Sequence, residues 1–198
     1  MADTKVECVL DVRAALGECP MWCPVEQALY WVDILAGSMN RLDPETGENT
    51  TWTFGEPVGS FAVYPGGDWL LALKSGLYRY SPGGGDLTLL AQPEASLPMN
   101  RLNDGRCDRQ GRFWVGSMRD PVDPGAPGGT LYRFGPGNRC EAVIPGLFVS
   151  NGLAFSPDGR TLYFSDSYPS VRTVWACALD PEDGMLSNRR VFIDTHGM

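Results

Sequence analysis

Leu29-Tyr30-Trp31-Val32-Asp33, Trp69-Leu70-Leu71-Ala72-Leu73, Phe113-Trp114-Val115-Gly116-Ser117 and Leu162-Tyr163-Phe164-Ser165-Asp166 are four short runs dominated by aromatic and aliphatic residues. They begin at positions 29, 69, 113 and 162, a spacing of 40 to 49 residues. A turn precedes each: Cys23-Pro24-Val25-Glu26, Pro65-Gly66-Gly67-Asp68, Asp108-Arg109-Gln110-Gly111 and Ser156-Pro157-Asp158-Gly159. A further strand follows each and closes on proline, in Arg41-Leu42-Asp43-Pro44, Arg79-Tyr80-Ser81-Pro82, Arg133-Phe134-Gly135-Pro136 and Ala178-Leu179-Asp180-Pro181. Proline opens a turn and cannot extend a central strand. A period of about 40–50 residues with four short strands per unit is the signature of propeller blades. Helical repeats of that length would need apolar residues at helical spacing and far fewer Gly and Pro. The expected fold class is all-β, a β-propeller of about four blades, with residues 1–198 forming one propeller domain.

The bulk composition agrees. Gly (24) and Pro (16) are abundant, as many turns and few long helices require. Hydrophobic residues at 43% with 20% charged residues describe an ordinary globular chain rather than a disordered one. The formal charge of −8 repels phosphate backbones and argues against a nucleic-acid partner. No run is long and apolar enough to span a membrane, and the segment from Met1 to Val12 has no secretory pattern. The six cysteines, Cys8, Cys19, Cys23, Cys107, Cys140 and Cys177, include no CxxC pair. Free thiols in a reducing cytoplasm are therefore expected, with zinc at Cys19 and Cys23 disfavoured for want of a second pair.

In a propeller the innermost strand of each blade faces the axis. Counting back nine to eleven residues from each run reaches Glu18, Ser60, Asn103 and Asn151. The repeat register thus brings four oxygen-bearing side chains toward one point. Glu18 would supply an anionic oxygen, Asn103 and Asn151 neutral ones; such a set suits a hard divalent cation, not a thiolate or imidazole zinc centre. Taken singly, Asn103-Asp104-Gly105 and Asn151-Gly152 are also common turn sequences. The single histidine, His196, reads as a surface loop residue, which leaves no serine–histidine triad in the ring.

Several pieces occur in order along nearly the whole chain: Gly17-Glu18-Cys19-Pro20, Tyr30-Trp31-Val32-Asp33-Ile34, Asn100-Arg101-Leu102-Asn103-Asp104-Gly105, Gly111-Arg112-Phe113-Trp114-Val115-Gly116-Ser117-Met118, Ser150-Asn151-Gly152-Leu153-Ala154 and Ser187-Asn188-Arg189-Arg190. With this set the sequence resembles the senescence-marker protein/gluconolactonase (regucalcin-like) family. The resemblance implies a six-bladed propeller with one divalent cation (calcium, zinc, manganese or magnesium) in its channel. It implies an enzyme, a lactonase that hydrolyses gluconolactone-like sugar lactones to aldonic acids. Glu18 and Asn151 match two of the family's metal-ligand positions, and Arg101 and Asn103 match positions that contact the sugar.

Two departures accompany the resemblance. The family's general-base aspartate lies in a Pro-Asp-Gly motif expected after Met198, so the chain reads as C-terminally truncated and its activity as impaired. Animal relatives carry two acidic residues after Gly-Thr-Met; here the run is Gly116-Ser117-Met118-Arg119-Asp120-Pro121, where Asp120 stands in for one and Pro121 cannot stand in for the other. Asp120 is accordingly expected at the substrate. The Gly- and Pro-rich stretch from Pro121 to Gly129 is a candidate lid or a passive loop. Val6-Glu7-Cys8-Val9-Leu10-Asp11-Val12 is expected to form an N-terminal closing strand. The alternatives to an active lactonase are a calcium-binding regulatory protein and an inactive isoform.

Overall fold

The computed structural model describes residues 5–197. Sixteen strands fold into four antiparallel meanders of four strands each. Blade 1 comprises β1 (Gly17–Cys23), β2 (Ala28–Asp33), β3 (Ser38–Leu42) and β4 (Asn49–Thr53). Blade 2 comprises β5 (Val58–Val63), β6 (Trp69–Leu73), β7 (Gly76–Ser81) and β8 (Asp86–Ala91). Blade 3 comprises β9 (Asn100–Cys107), β10 (Phe113–Arg119), β11 (Gly129–Gly135) and β12 (Arg139–Leu147). Blade 4 comprises β13 (Ser150–Phe155), β14 (Thr161–Asp166), β15 (Thr173–Leu179) and β16 (Leu186–Asp194). This is the propeller that the repeat predicts. The four hydrophobic runs are the second strands, and the turns ending in proline follow the third. The only helical element among the described residues is a single turn at Pro136–Asn138, so none is long and apolar enough to cross a membrane.

The second strands of blades 2 and 3 are buried on both faces because a neighbouring blade covers each face, whereas β2 and β14 each join a single core. Side chains alternate across a strand. In β6, Trp69, Leu71 and Leu73 join Tyr30, Val32 and Met39 of blade 1, while Leu70 and Ala72 join Phe113, Val115 and Phe134 of blade 3. In β10, Trp114 turns the other way and packs with Leu153, Leu162 and Phe164 of blade 4. Three separate cores therefore lie between four blades. Full burial of such a side chain contributes about 1.5–3 kcal/mol. The outer strands β8 and β16 are mostly exposed, as the rim of a propeller is.

β1, β5, β9 and β13 are the inner strands, and they approach one another around the axis. The approach is close enough to need glycine. A Cβ on Gly59 would sit 2.5 Å from the Leu102 carbonyl oxygen, and one on Gly116 would collide with Ser150. Val6 to Val12, expected as a strand, is not one: it runs as coil without a ladder partner, and residues 9–14 lie along the flank of blade 1 beside Leu29, Trp31 and Leu42. Apolar alternation alone does not make a strand without a partner for its backbone, and β1 to β4 already form their own ladder.

A buried carboxylate fixes the turn of blade 3. Asp108 accepts hydrogen bonds from Arg112 Nε at 2.6 Å, Trp114 Nε1 at 3.0 Å and the amides of Gln110 and Arg112. Arg112 in turn donates to the Pro181 carbonyl at 3.1 Å, tying blade 3 to the loop of blade 4. Asp108→Ala would leave a buried guanidinium unpaired, an expected cost of about 3–5 kcal/mol. Urea unfolding should show a lower midpoint with the denaturant slope retained. An unchanged midpoint would contradict this role.

Candidate active site

Every inner strand breaks its register at the same level. The pairing with the second strand slips between Glu18 and Met21 in β1, between Val58 and Ser60 in β5, across Leu102 to Gly105 in β9, and between Asn151 and Ala154 in β13. A β-bulge inserts an unpaired residue and re-aims its side chain. The four residues reached by counting back along the repeat, Glu18, Ser60, Asn103 and Asn151, all sit at these bulges. Two bulges share a further detail: Cys19, after Glu18, and Gly152, after Asn151, have positive φ of 52° and 61°. Glycine takes this conformation freely, whereas at Cys19 it is strained.

Loops leading into β1 and β13 are held alike. The Asp33 carboxylate accepts the amides of Ala15 (2.8 Å), Leu16 (3.0 Å) and Ala36 (3.2 Å). Asp166, its counterpart in blade 4, accepts those of Phe148 (2.8 Å), Val149 (3.0 Å) and Tyr168 (3.3 Å). Both aspartates are buried. Each clamp anchors the chain two residues before Glu18 or Asn151. Burial works to raise the Asp33 pKa, but the amides around its carboxylate together hold it below the ordinary range.

The remaining ring residues differ in how far their polar atoms are already committed. Ser60 Oγ donates to the Asn103 carbonyl at 2.7 Å and so staples blade 2 to blade 3. Asn103 donates to the Ser150 carbonyl at 2.9 Å and accepts from Arg101 Nη1 at 2.6 Å. The Arg101 guanidinium, 6% exposed, also bonds Asp120 through Nε at 2.7 Å. Asp120, more open to solvent, lies in a cis Asp120–Pro121 unit. Arg101, Asn103 and Asp120 thus form one connected group. Asn151 uses only Nδ2, toward Ser167 Oγ at 3.4 Å, and its Oδ1 carries no hydrogen bond among the described residues. Glu18 forms neither a hydrogen bond nor an ion pair there. Of the stretch from Pro121 to Gly129, residues 121–128 form a mostly exposed loop between β10 and β11, anchored where Asn100 donates to the Gly128 carbonyl at 2.7 Å, and Gly129 is buried at the start of β11.

The electrostatics single out the same end of the channel. Burial, and next the nearby Asp104 carboxylate, raise the Glu18 pKa, opposed by Arg101. Asp104 is raised too, chiefly by burial, against the pull of the amides of Leu153, Gly105 and Gly152. An uncommitted carboxylate whose charge is disfavoured, near a second carboxylate, is chemistry that fits a divalent cation. The fit depends on amide oxygens, since no three His, Cys, Asp or Glu side chains group closely enough among the described residues to hold a metal.

Asp104, read from sequence only as part of a turn, joins the site through its neighbours. Cys19 was legible only as a thiol. It is free, like the other five cysteines, and burial pushes its pKa up to about 11. His196 lies in an exposed loop beside Asp194, away from any triad. The carboxylate clamps had a signal in the sequence: two of the four hydrophobic runs end in aspartate, at Asp33 and Asp166.

Comparison with known proteins identifies relatives of this arrangement. The family model described as SMP-30/Gluconolactonase/LRE-like region matches residues 16–198. A 6-deoxy-6-sulfogluconolactonase from Pseudomonas putida is 40% identical over 186 residues, covering 94% of this chain and 62% of that protein. An L-arabinolactonase from Azospirillum brasilense is 35% identical over 184 residues, covering 92% of this chain and 60% of that protein. The crystal structure of a calcium-binding protein, regucalcin, from Agrobacterium tumefaciens superposes with a TM-score of 0.86 at 30% identity, over 92% of this chain and 61% of that one. The chain therefore spans about three fifths of the length of the curated relatives it matches.

The raised Glu18 pKa has a consequence for stability. A folded-state pKa above the unfolded one means that the folded chain holds the Glu18 proton more tightly. Ionisation at neutral pH therefore costs stability, and the cost fades as pH falls through the folded and then the unfolded pKa. Glu18→Gln is expected to melt at a higher temperature than wild type in chelator at pH 7. That advantage should vanish toward about pH 4, where wild-type Glu18 is largely protonated. Thermal melts at the two pH values check it, and a variant that melts lower at pH 7 contradicts it.

Proposed function

We propose that this chain, which belongs to the SMP-30/gluconolactonase/LRE-like family, hydrolyses the ring ester of a gluconolactone-like sugar lactone to the open-chain aldonic acid with the help of one divalent cation. The observation that carries the reading is the pair of uncommitted oxygens, Glu18 carboxylate and Asn151 Oδ1, on equivalent bulges of two inner strands. Names of the Pseudomonas and Azospirillum relatives, both for sugar lactones, support the substrate class.

Glu18 and Asn151 would hold the cation, whose Lewis acidity, when it is bound, polarises a carbonyl and makes water a better nucleophile. Oxygen donors of one anionic and one neutral kind suit calcium, magnesium or manganese, and zinc can take them too. Arg101 would bind the sugar. Its guanidinium is fixed by Asp120 and Asn103 before substrate arrives, so little side-chain freedom is lost on binding. Asp120 is open enough to accept from a sugar hydroxyl while it holds Arg101. Asn103, held on both ends of its amide, would orient the same face of the ligand.

A second reading follows from the Agrobacterium relative, described as calcium-binding. The same two oxygens would serve a calcium-binding protein that opens no lactone.

Acid release from gluconolactone at constant pH, corrected for spontaneous hydrolysis, separates the two. Chelated protein is expected to be inactive and to regain turnover with one of calcium, zinc, manganese or magnesium. Glu18→Ala should lower the metal-dependent rate by more than the ~10–100-fold typical of changes outside the ligand shell. Calcium binding without turnover under any of the four cations would select the second reading. Full activity in Glu18→Ala would remove the site from both.

A further inference from the structure

We infer that Asp104 is a positioning residue that sets the aim of Asn151 by holding the β13 bulge from the neighbouring blade; this rests on the reading of Glu18 and Asn151 as cation ligands. Pairing of β13 with β14 is regular at Asn151–Ser165 and again at Ala154–Tyr163. Between them, Gly152 and Leu153 fall out of the ladder. Buried amides that lose a ladder partner need another acceptor. Asp104 provides it for the buried Leu153: its Oδ2 accepts from that amide at 3.0 Å, and the amide of the exposed Gly152 lies near enough to help hold the carboxylate's pKa down. Gly152 takes a left-handed turn, φ 61°, immediately before Leu153.

Asp104 is itself fixed. It sits at the β9 bulge next to Asn103, whose side-chain amide donates to the Ser150 carbonyl, and its carboxylate also meets the Gly105 amide. Asn103 and Asp104 therefore grip β13 on either side of Asn151, one at Ser150 and the other at Gly152 and Leu153. The β1 bulge is held differently. Pro20 has no amide to satisfy, and the Phe61 amide of blade 2 draws the Cys19 pKa down against burial. The bulge that carries the uncommitted oxygen of Asn151 is thus braced by an adjacent blade, and Asp104 is part of that brace. Lying close enough to Glu18 to act on its charge, it also adds to the negative potential at the cation position.

The test compares wild type, Asp104→Ala and Asp104→Asn, each verified as folded by circular dichroism. Calcium and manganese affinities come from isothermal titration calorimetry, and exchange at the Gly152 and Leu153 amides from hydrogen–deuterium exchange. Asp104→Ala is expected to weaken cation binding about 10–100-fold, the range for groups that orient a metal ligand, and to speed exchange at both amides. Asp104→Asn keeps an oxygen acceptor, so its amides should stay slow and its affinity should lie nearer wild type. Affinity within about twofold of wild type in folded Asp104→Ala would overturn the proposal. So would Asp104→Asn binding as weakly as Asp104→Ala, which would assign the loss to charge rather than aim. If Asp104→Ala does not fold, wild type decides: rapid exchange at Gly152 and Leu153 overturns the brace. Wild type that binds neither cation would instead sink the reading of the site, and slow exchange at the two amides would still support the brace.

Discussion

The fold depends on burying both faces of the second strands of blades 2 and 3, each against a neighbour on either side. A four-stranded meander with one apolar face could settle against a helix or a single second sheet. Here β6 and β10 send alternate side chains in opposite directions, so neither face can be left open without exposing a row of Leu, Val, Phe or Trp. The blades must stack around an axis, and the inner strands must then crowd together. That crowding explains Gly59, and the close packing of β10 on β13 explains Gly116, where a side chain would meet the backbone or side chain of the next blade. It also explains why polar groups near the axis bond across blades: Ser60 to Asn103, Asn103 to Ser150, and Asp104 to Leu153.

The same geometry makes the candidate site. Inner strands packed this closely slip their register at one level, and each slip leaves amides and side chains that the ladder does not use. Most are absorbed by the neighbouring blade, which is why Ser60 and Asn103 hold the structure although they share the register of Glu18 and Asn151. What is not absorbed is chemically informative. A partly buried carboxylate without a hydrogen-bond partner, raised in pKa by burial and by Asp104 against the pull of Arg101, costs stability at neutral pH that a bound cation would offset. Structural and functional polarity are thus separated here by commitment rather than by residue type.

Two aspartate clamps show how precision is supplied at low cost. Asp33 and Asp166 each gather three backbone amides and fix the chain entering β1 or β13. Hydrogen bonds to a charged acceptor are stronger than neutral ones, and each clamp acts within its own blade. The uncommitted oxygens of Glu18 and Asn151 therefore follow backbone that a buried carboxylate holds. Arg101, by contrast, is held by side chains, Asp120 and Asn103, one of them partly open to solvent.

The sequence by itself determined the architecture, because a propeller writes its packing into a repeat. The four hydrophobic runs, the turns before them and the prolines after them all occupy the places their spacing implies, and counting back reached every bulge. Composition and periodicity report burial and strand direction, both properties of single strands. The resemblance that the motifs carry agrees with the family match over residues 16–198. What only the tertiary structure decided was which polar atoms find partners. Sequence could not show that Ser60 and Asn103 are bound into the frame while Glu18 is not, since their partners lie 43 to 47 residues away on other blades. Nor could it distinguish Asp104, a cross-blade acceptor, from an ordinary turn aspartate, or anticipate that Val6 to Val12 would lack a ladder. Hydrogen-bond satisfaction is a property of pairs brought together by the fold, and one chain read in order contains only half of each pair.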